Sequence, residues 1–355
     1  MEVAPAIALA KKYSKAKDPK FGDVIRFAPG FVYAQSETAG IIVACPDVAW
    51  EAAADAAQLV AMAKKAGDNA VYALDRNTLT ITSATGGAYR LQCLDAKVRD
   101  KLPSKPEAPR RFADLDAPTF KALVNLAGLA LAGDDDPTLA AVRLTPSWAA
   151  TSRGNGLAVL WLVDAAGAPL DLVREPMCID SKFFAGLKGP MGLSATKAFF
   201  WLQAGDVTRW ARRLDVPWPD NAVSTENLTR LRSGGDNRLG VAIQVPELRF
   251  LFDRALAAAD SKADTFKLTW GPLLGLTGGG QRGRFAGSAS VPQDGGGRTF
   301  GVAPAVWLRY LDALAACCEG DVYMSIAGVT DPAALWGTKP LAFEVFVWPE
   351  YVPAV

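Results

Sequence analysis

The 355-residue chain has no histidine. That absence excludes Ser-His-Asp and Cys-His nucleophile systems and histidine-ligated metals together, because each needs an imidazole. Cysteine is scarce. Cys45, Cys93, Cys178, Cys317 and Cys318 form an odd set with no C-x-x-C spacing, which suits small buried thiols in a reduced cytosol better than a disulfide frame or a zinc site. No uninterrupted apolar run approaches the ~18 residues of a membrane span, and no cationic leader with a long apolar core opens the chain. The expectation is a soluble, cytoplasmic, unsecreted protein. An excess of either charge is lacking too. Lys plus Arg number 38 against 37 Asp plus Glu, a net of +1, so only the distribution of charge could argue for a polyanionic partner.

Apolar residues are plentiful. Hydrophobic content is 50% and charged content 21%, enough for a sizeable core, and the length suits two or three domains. An order of elements recurs along the chain. Helical periodicity covers Val3 to Ala16, with Pro5 in its first turn. Strands are expected at Val24–Phe27, Phe31–Ala34 and Ile41–Ala44. A second helix is expected from about Ala53 to Ala66, with Lys64 and Lys65 in its last turn and Gly67 as its stop. Strands at Val71–Leu74, Thr78–Ser83 and Ala88–Leu94 complete the first pass, and Lys97 to Arg111, rich in Lys, Arg and Pro, reads as a linker.

The second pass is expected to hold a helix at Pro118–Ala132, a strand at Val142–Leu144, a polar turn over Ser152 to Gly156 and a strand at Leu157–Val163. A short helix around Ser181–Leu187 and strands at Met191–Ala195, Ala198–Gln203 and Val207–Leu214 follow. A polar connection, Asn221 to Arg238, leads to a third pass. Its strands are Val241–Val245, Thr265–Trp270, Leu273–Thr277, Gly283–Val291, Val322–Ala327 and Ala342–Val347. Its helices are Pro246–Ala259 and Ala303–Cys317. A period of roughly 115 residues is too long for a solenoid unit and lets each pass be a domain.

The wording of the second pass carries a resemblance. Ala150-Thr151-Ser152-Arg153-Gly154-Asn155-Gly156-Leu157-Ala158 and Trp218-Pro219-Asp220 resemble the turn and the closing Phe-Pro-Asp of the middle domain of bacterial β sliding clamps, the processivity subunits of replicative polymerases. The clamp turn's Asp and His-Arg pair are missing, and one residue is inserted. In the third pass, Ala303 to Leu314, with Tyr310-Leu311-Asp312-Ala313-Leu314, resembles the family's Tyr-Leu-x-Asp-x-Leu helix. Phe346-Val347-Trp348-Pro349 resembles its terminal Val-Met-Pro-Met strand.

The resemblance implies an α+β fold of three similar clamp domains, 1–112, 113–225 and 238–355, each two helices packed on antiparallel sheets. It implies a homodimeric ring around double-stranded DNA, which needs cations facing phosphates and no base-specific contacts. The cations would be Lys11, Lys12, Lys15, Lys64, Lys65, Lys121, Lys182, Lys188, Arg249, Arg254 and Arg309. A pocket for short peptides of a polymerase and a clamp loader would be walled by Thr151, Leu157, Pro219, Phe346, Trp348 and Pro349. Dimer closure would involve Tyr89, Leu91, Leu256 and Phe266. No cofactor, metal or catalysis is implied. The altered turn leaves open which polymerase is served, including one of a phage or mobile element.

Two readings from other classes remain. One is a non-replicative binding or scaffold protein on the same fold. The other is an enzyme using Gly278-Gly279-Gly280-Gln281-Arg282-Gly283 or Gly295-Gly296-Gly297-Arg298 as phosphate loops. Neither run carries the Walker Lys-Ser/Thr or plainly precedes a helix, so hairpin turns explain both better. Asp134-Asp135-Asp136 before Pro137 reads as a solvated loop.

Overall fold

A computed structural model describes residues 1–15, 22–130, 140–153, 155–164, 166–185, 187, 191–218, 226, 241–261, 264–290, 298–319, 321–326, 332–337 and 342–350. The first pass holds α1 (Val3–Ala10), β1 (Val24–Ala28), β2 (Phe31–Gln35), β3 (Ala39–Ala44), β4 (Ala52–Asp55), α2 (Ala56–Ala66), β5 (Val71–Asp75), β6 (Thr78–Thr82), β7 (Ala88–Gln92) and the short α3 (Ala96–Arg99). The second holds β8 (Ala113–Asp114), α4 (Ala117–Ala130), β9 (Ala141–Leu144), β10 (Trp148–Arg153), β11 (Gly156–Trp161), β12 (Met177–Asp180), β13 (Gly192–Ala195), β14 (Phe199–Ala204) and β15 (Val207–Arg212). The third holds β16 (Val241–Ile243), α5 (Val245–Ala258), β17 (Phe266–Trp270), β18 (Leu273–Gly280), β19 (Gly283–Ser290), β20 (Arg298–Val302), α6 (Pro304–Cys317), β21 (Val322–Ile326), β22 (Ala333–Gly337) and β23 (Phe343–Val347).

The chain divides into two compact units, Met1–Leu115 with Pro190–Arg213, and Asp116–Gly189 with Leu214–Val355. Each contains one eight-stranded antiparallel sheet. Their strand orders are β4-β1-β2-β3-β15-β14-β13-β8 and β12-β9-β10-β11-β23-β22-β21-β16. The two orders are one plan. A four-strand half from one pass meets a three-strand half from the next pass through the seams β3–β15 and β11–β23, and a further strand ends the row. Two smaller sheets are halves of the same kind: β5-β6-β7 in the first unit and β19-β18-β17-β20 in the second.

In the first unit, α1 and α2 cover one face of the large sheet. Strand alternation aims Ile25, Phe27, Val32, Ala34, Ile41 and Val43 at Ile7 and Leu59 on those helices. Ile7 and Leu59 are buried to 1% and 0% exposure, and burying each contributes about 1.5–3 kcal/mol. The Asp55 carboxylate accepts the Gln58 N–H at 2.8 Å and starts α2. Gly67, at φ 85°, ends it. In the second unit α4 and α5 both pack on α6, with Phe252 of α5 stacked on Trp307 of α6 at 5.0 Å. Pro246 and Pro304 sit in the first turns of α5 and α6, where a missing N–H breaks no helical bond.

The fold differs from the sequence reading in several places. The first helix ends at Ala10, and Lys11–Tyr13 form a 3-10 turn. Residues 52–55 are strand, so the second helix begins at Ala56. Thr151, Ser152 and Arg153 belong to β10 rather than to a turn. The short helix of the second pass is a 3-10 turn, Ser181–Phe184, capped by Asp180 as α2 is by Asp55. Strands β4, β8, β10, β12, β20 and β22 have no counterpart in that reading. Asn221 to Arg238, apart from Glu226, and Asp134 to Asp136 lie outside the described residues.

Candidate functional site

The second large sheet carries an aromatic cluster on the face turned from its helices. Its buried members are Ala141, Trp148, Ala150, Leu157, Val159, Cys178, Trp218, Ala334 and Phe346, and Trp161, Leu214, Val216, Trp336 and Trp348 pack against them half-buried. Antiparallel register builds it. Leu157 lies opposite Phe346 across the β11–β23 seam, and Trp148 lies opposite Trp161 across β10–β11. Past the end of β23, the Trp348 N–H donates to the Asn155 carbonyl at 2.7 Å, and Asn155 Nδ2 donates back to the Trp348 carbonyl at 2.8 Å. Glu350 continues the clip by accepting from Asn155 Nδ2 at 3.3 Å and from the Thr265 hydroxyl at 2.7 Å. The Trp218 indole N–H is buried with no acceptor among the described residues.

Of the pocket residues expected from sequence, Leu157, Phe346 and Trp348 meet in this cluster. Pro349 is half-buried beside it in the chain. Thr151 does not join. Alternation turns it to the helix side of β10, where it is fully buried and its hydroxyl donates to the Ala141 carbonyl at 3.2 Å. Pro219 lies outside the described residues. Sequence reasoning missed Trp148, Trp161 and Trp336. The available signal was tryptophan itself, since five of the chain's ten fall in this cluster.

The expected DNA-facing cations divide unevenly. In the first unit Lys12, Lys15, Lys64 and Lys65 are exposed. Lys11 is half-buried and paired with Asp23 at 3.2 Å. In the second unit Lys121, Lys182, Arg249 and Arg254 are exposed and Arg309 is half-buried. Arg249 Nε is tied to Asp312 of α6 at 2.5 Å, and Arg254 lies over the exposed Phe250 ring at 4.2 Å. Carboxylates balance α5 and α6 (Glu247, Asp253 and Asp312), whereas α2 carries Lys64 and Lys65 with no acid. Lys188 lies outside the described residues.

Of the residues expected at a dimer interface, Tyr89 and Leu91 are on β7, an edge of its sheet. Leu91 points into the core of its own unit at 3% exposure, and Tyr89 packs against that core half-buried. Leu256 is half-buried on α5. Phe266 is 1% exposed on β17, which has β18 on one side and β20 on the other. The free edge of that sheet facing its hairpin is β19, so Phe266 is a core residue.

The first glycine-rich run is a hairpin, with Gly280 opposite Gly283. The turn N–H groups of Gln281 and Arg282 donate to the Asp260 carboxylate at 2.5 and 2.9 Å. The anion that such a nest would take is thus supplied from within. The second run, Gly295 to Gly297, lies outside the described residues. Burial pushes the Cys317 and Cys318 thiols up to about 11 and about 12, so neither is a nucleophile near neutral pH. Among the described residues no group of histidine, cysteine or carboxylate side chains could hold a metal ion, and no helix is long and apolar enough to cross a membrane.

Passes of helix and sheet whose large sheets run from one pass into the next define the DNA-clamp fold. Solved structures with this fold match nearly the whole chain. The DNA polymerase III subunit β from Pseudomonas aeruginosa superposes with a TM-score of 0.75 at 14% identity, covering 98% of this chain and 97% of that one. The DNA polymerase sliding clamp from Bacillus subtilis gives 0.76 at 16% identity with the same coverage. The β subunit from Thermotoga maritima gives 0.73 at 16% identity, covering 99% and 97%. The chain therefore has the fold of the DNA polymerase III β subunits. No protein-family model and no curated protein matches its sequence.

Proposed function

We propose that two copies of this chain close head to tail into a ring that encircles duplex DNA without reading its sequence and tethers a polymerase to it. The observation that carries this reading is an unused seam. Twice within the chain the third strand of a four-strand half pairs with the last strand of a three-strand half, at β3–β15 and β11–β23. The remaining halves leave β19 and β7 as edges, and these are the same two strand positions. Pairing β19 of one copy with β7 of the other repeats the seam, removes two exposed edges, and by two-fold repetition closes the assembly. Three clamp domains per chain, near 1–112, 113–225 and 238–355, describe the repeat, although each large sheet is shared by two of them.

In this reading the exposed lysines of the helices and their flanking turns supply a salt-dependent attraction to phosphate, and the protein is a non-catalytic processivity factor. The likeness to solved clamps supports the assignment, and the aromatic cluster around Trp348 supports docking of short partner peptides from a polymerase or a loader. The test is topological. The protein should be retained on nicked circular DNA once loaded and lost when the circle is cut. Equal retention on both forms rejects encirclement. Light scattering should give twice the 37.6 kDa chain mass, and nucleotide hydrolysis should be absent from the pure protein.

A further inference from the structure

The first large sheet also has a face turned away from its helices, and the chain's own linker crosses it. Ile42, Trp201 and Trp210 are buried there, with Tyr33, Phe199, Ala108 and Phe112 packed against them. The Pro103 carbonyl accepts from Arg26 Nη1 at 2.6 Å and from Gln35 Nε2 at 2.5 Å. Among the described residues no backbone hydrogen bond holds residues 103–112 to the sheet. The segment is held by two side chains on one carbonyl, by Lys105 Nζ over the Phe31 ring of β2 at 6.0 Å, and by a few apolar contacts.

Those two side chains have capacity left over. Arg26 and Gln35 are each 4% exposed, yet Arg26 Nη2 and Gln35 Oε1 have no hydrogen-bond partner among the described residues. The Arg26 guanidinium lies over the Tyr33 ring at 5.7 Å, and no carboxylate pairs with it among the described residues. A buried cation without an anion is costly, and a buried amide oxygen without a donor adds to the cost. An extended peptide supplies both missing partners: a side-chain carboxylate for Nη2 and a backbone N–H for Oε1. Trp201, Trp210 and Phe199 offer its apolar side chain an aromatic bed. The position is not arbitrary, because Arg26 on β1 corresponds in the shared strand order to Arg143 on β9, at the edge of the aromatic cluster of the second sheet.

We propose that this face of the first sheet is a second peptide-binding site, selective for a partner segment with an acidic residue beside an aromatic or aliphatic one. Residues 103–112 occupy it as a displaceable strap. The site is separate from the Trp348 cluster and does not depend on ring closure, so its failure would leave the proposed function standing.

The probe is a fluorescein-labelled decapeptide copying residues 103–112 with Asp in place of Ser104, compared with the same peptide carrying Asn there, each titrated into the full chain. A tethered strap competes at high effective concentration, so Phe112→Ala, which loosens it, should tighten binding of the Asp peptide about tenfold. In that background the Asp peptide should bind about tenfold better than the Asn peptide, the scale of a charge-assisted hydrogen bond. Arg26→Met added to Phe112→Ala should erase the preference, and Gln35→Leu should weaken both peptides alike. Trp348→Ala should leave the affinity for both labelled peptides unchanged. Equal binding of the Asp and Asn peptides, no gain from Phe112→Ala, or loss of binding in Trp348→Ala each overturns the proposal. If Arg26→Met does not fold, Gln35→Leu decides: unchanged affinity for both peptides overturns it.

Discussion

The closed seams and the open edges use the same strand positions but are built differently. At the closed seams a glycine is pressed under an aromatic ring. A Cβ on Gly40 would lie 2.3 Å from the Trp210 ring. The Cβ of an Ala at 156 would collide with the Tyr310 ring of α6. The residue that follows the hairpin turn on the open strand β19 is Gly283, and nothing lies within 4 Å of its Cβ position. The closed seams are packed like an interior, in which added volume has nowhere to go. The open edge keeps its outward backbone groups free and has open space at Gly283, although Gly287 further along the same strand lies under the Phe285 ring.

The largest effect that would sharpen this contrast is at a closed seam. Gly156→Val should lower unfolding free energy by about 3 kcal/mol in urea titration through overpacking against Tyr310. A loss below about 0.5 kcal/mol would mean the seam is looser than drawn. Ala286→Pro tests the open edge. Alternation from the Gly280–Gly283 pair turns the Ala286 N–H away from β18, so proline is tolerated in the monomer and blocks only new pairing. The dimer should dissociate at least about a hundredfold more readily, about 2.7 kcal/mol, by light scattering against dilution, with the melting midpoint of the monomer unchanged. An intact dimer would remove β19 from the interface.

Trp348→Ala probes the end of the β11–β23 seam. Its loss should weaken a polymerase tail peptide by about 2 kcal/mol, the scale of an anchoring aromatic, while the dimer survives. Asp55→Ala and Asp180→Ala remove corresponding caps in successive passes. Asp55→Ala should lower stability by about 1 kcal/mol because a full α-helix follows it. Asp180→Ala should do less, because only a 3-10 turn does.

The smallest effect is on pH. Burial opposes ionisation of Asp23, but the Ser14 hydroxyl at 2.6 Å and the Lys11 ammonium at 3.2 Å outweigh it and hold the carboxyl below its ordinary value near 3.8. A depressed folded pKa gives stability that is present above that value and lost as pH falls through the folded one. Asp23→Asn should therefore flatten the acid limb of the melting curve below about pH 4 and leave its slope near neutrality alone.

Sequence made the helices and the hairpin strands legible because their burial is one-sided. Ala56, Leu59, Ala63 and Ala66 recur on one face of α2, and β6 alternates buried and half-buried. It failed where burial is two-sided or side chains are small. β4 reads Ala52-Ala53-Ala54-Asp55 and was absorbed into the helix that follows. β22 is buried on nearly every residue and offers no period to read. The pocket was half legible for a related reason. Wording along β11 and β23 placed Leu157, Phe346 and Trp348, but Trp148 and Trp336 arrive from other strands and Trp161 lies at the far end of β11 from the quoted motif, and no local pattern announces a register. Thr151 went astray because a strand read as a turn loses its alternation.

Glu350 gives the second unit an unexpected economy. One carboxylate joins the hairpin residue Asn155 to Thr265, next to β17, and its own N–H bridges to Gly301 on β20. A pull on the chain at Trp348 is thereby a pull on the four-stranded sheet, at whose far side runs the edge strand β19. A partner gripping the aromatic cluster would therefore load that sheet through Glu350, two residues along the chain from Trp348.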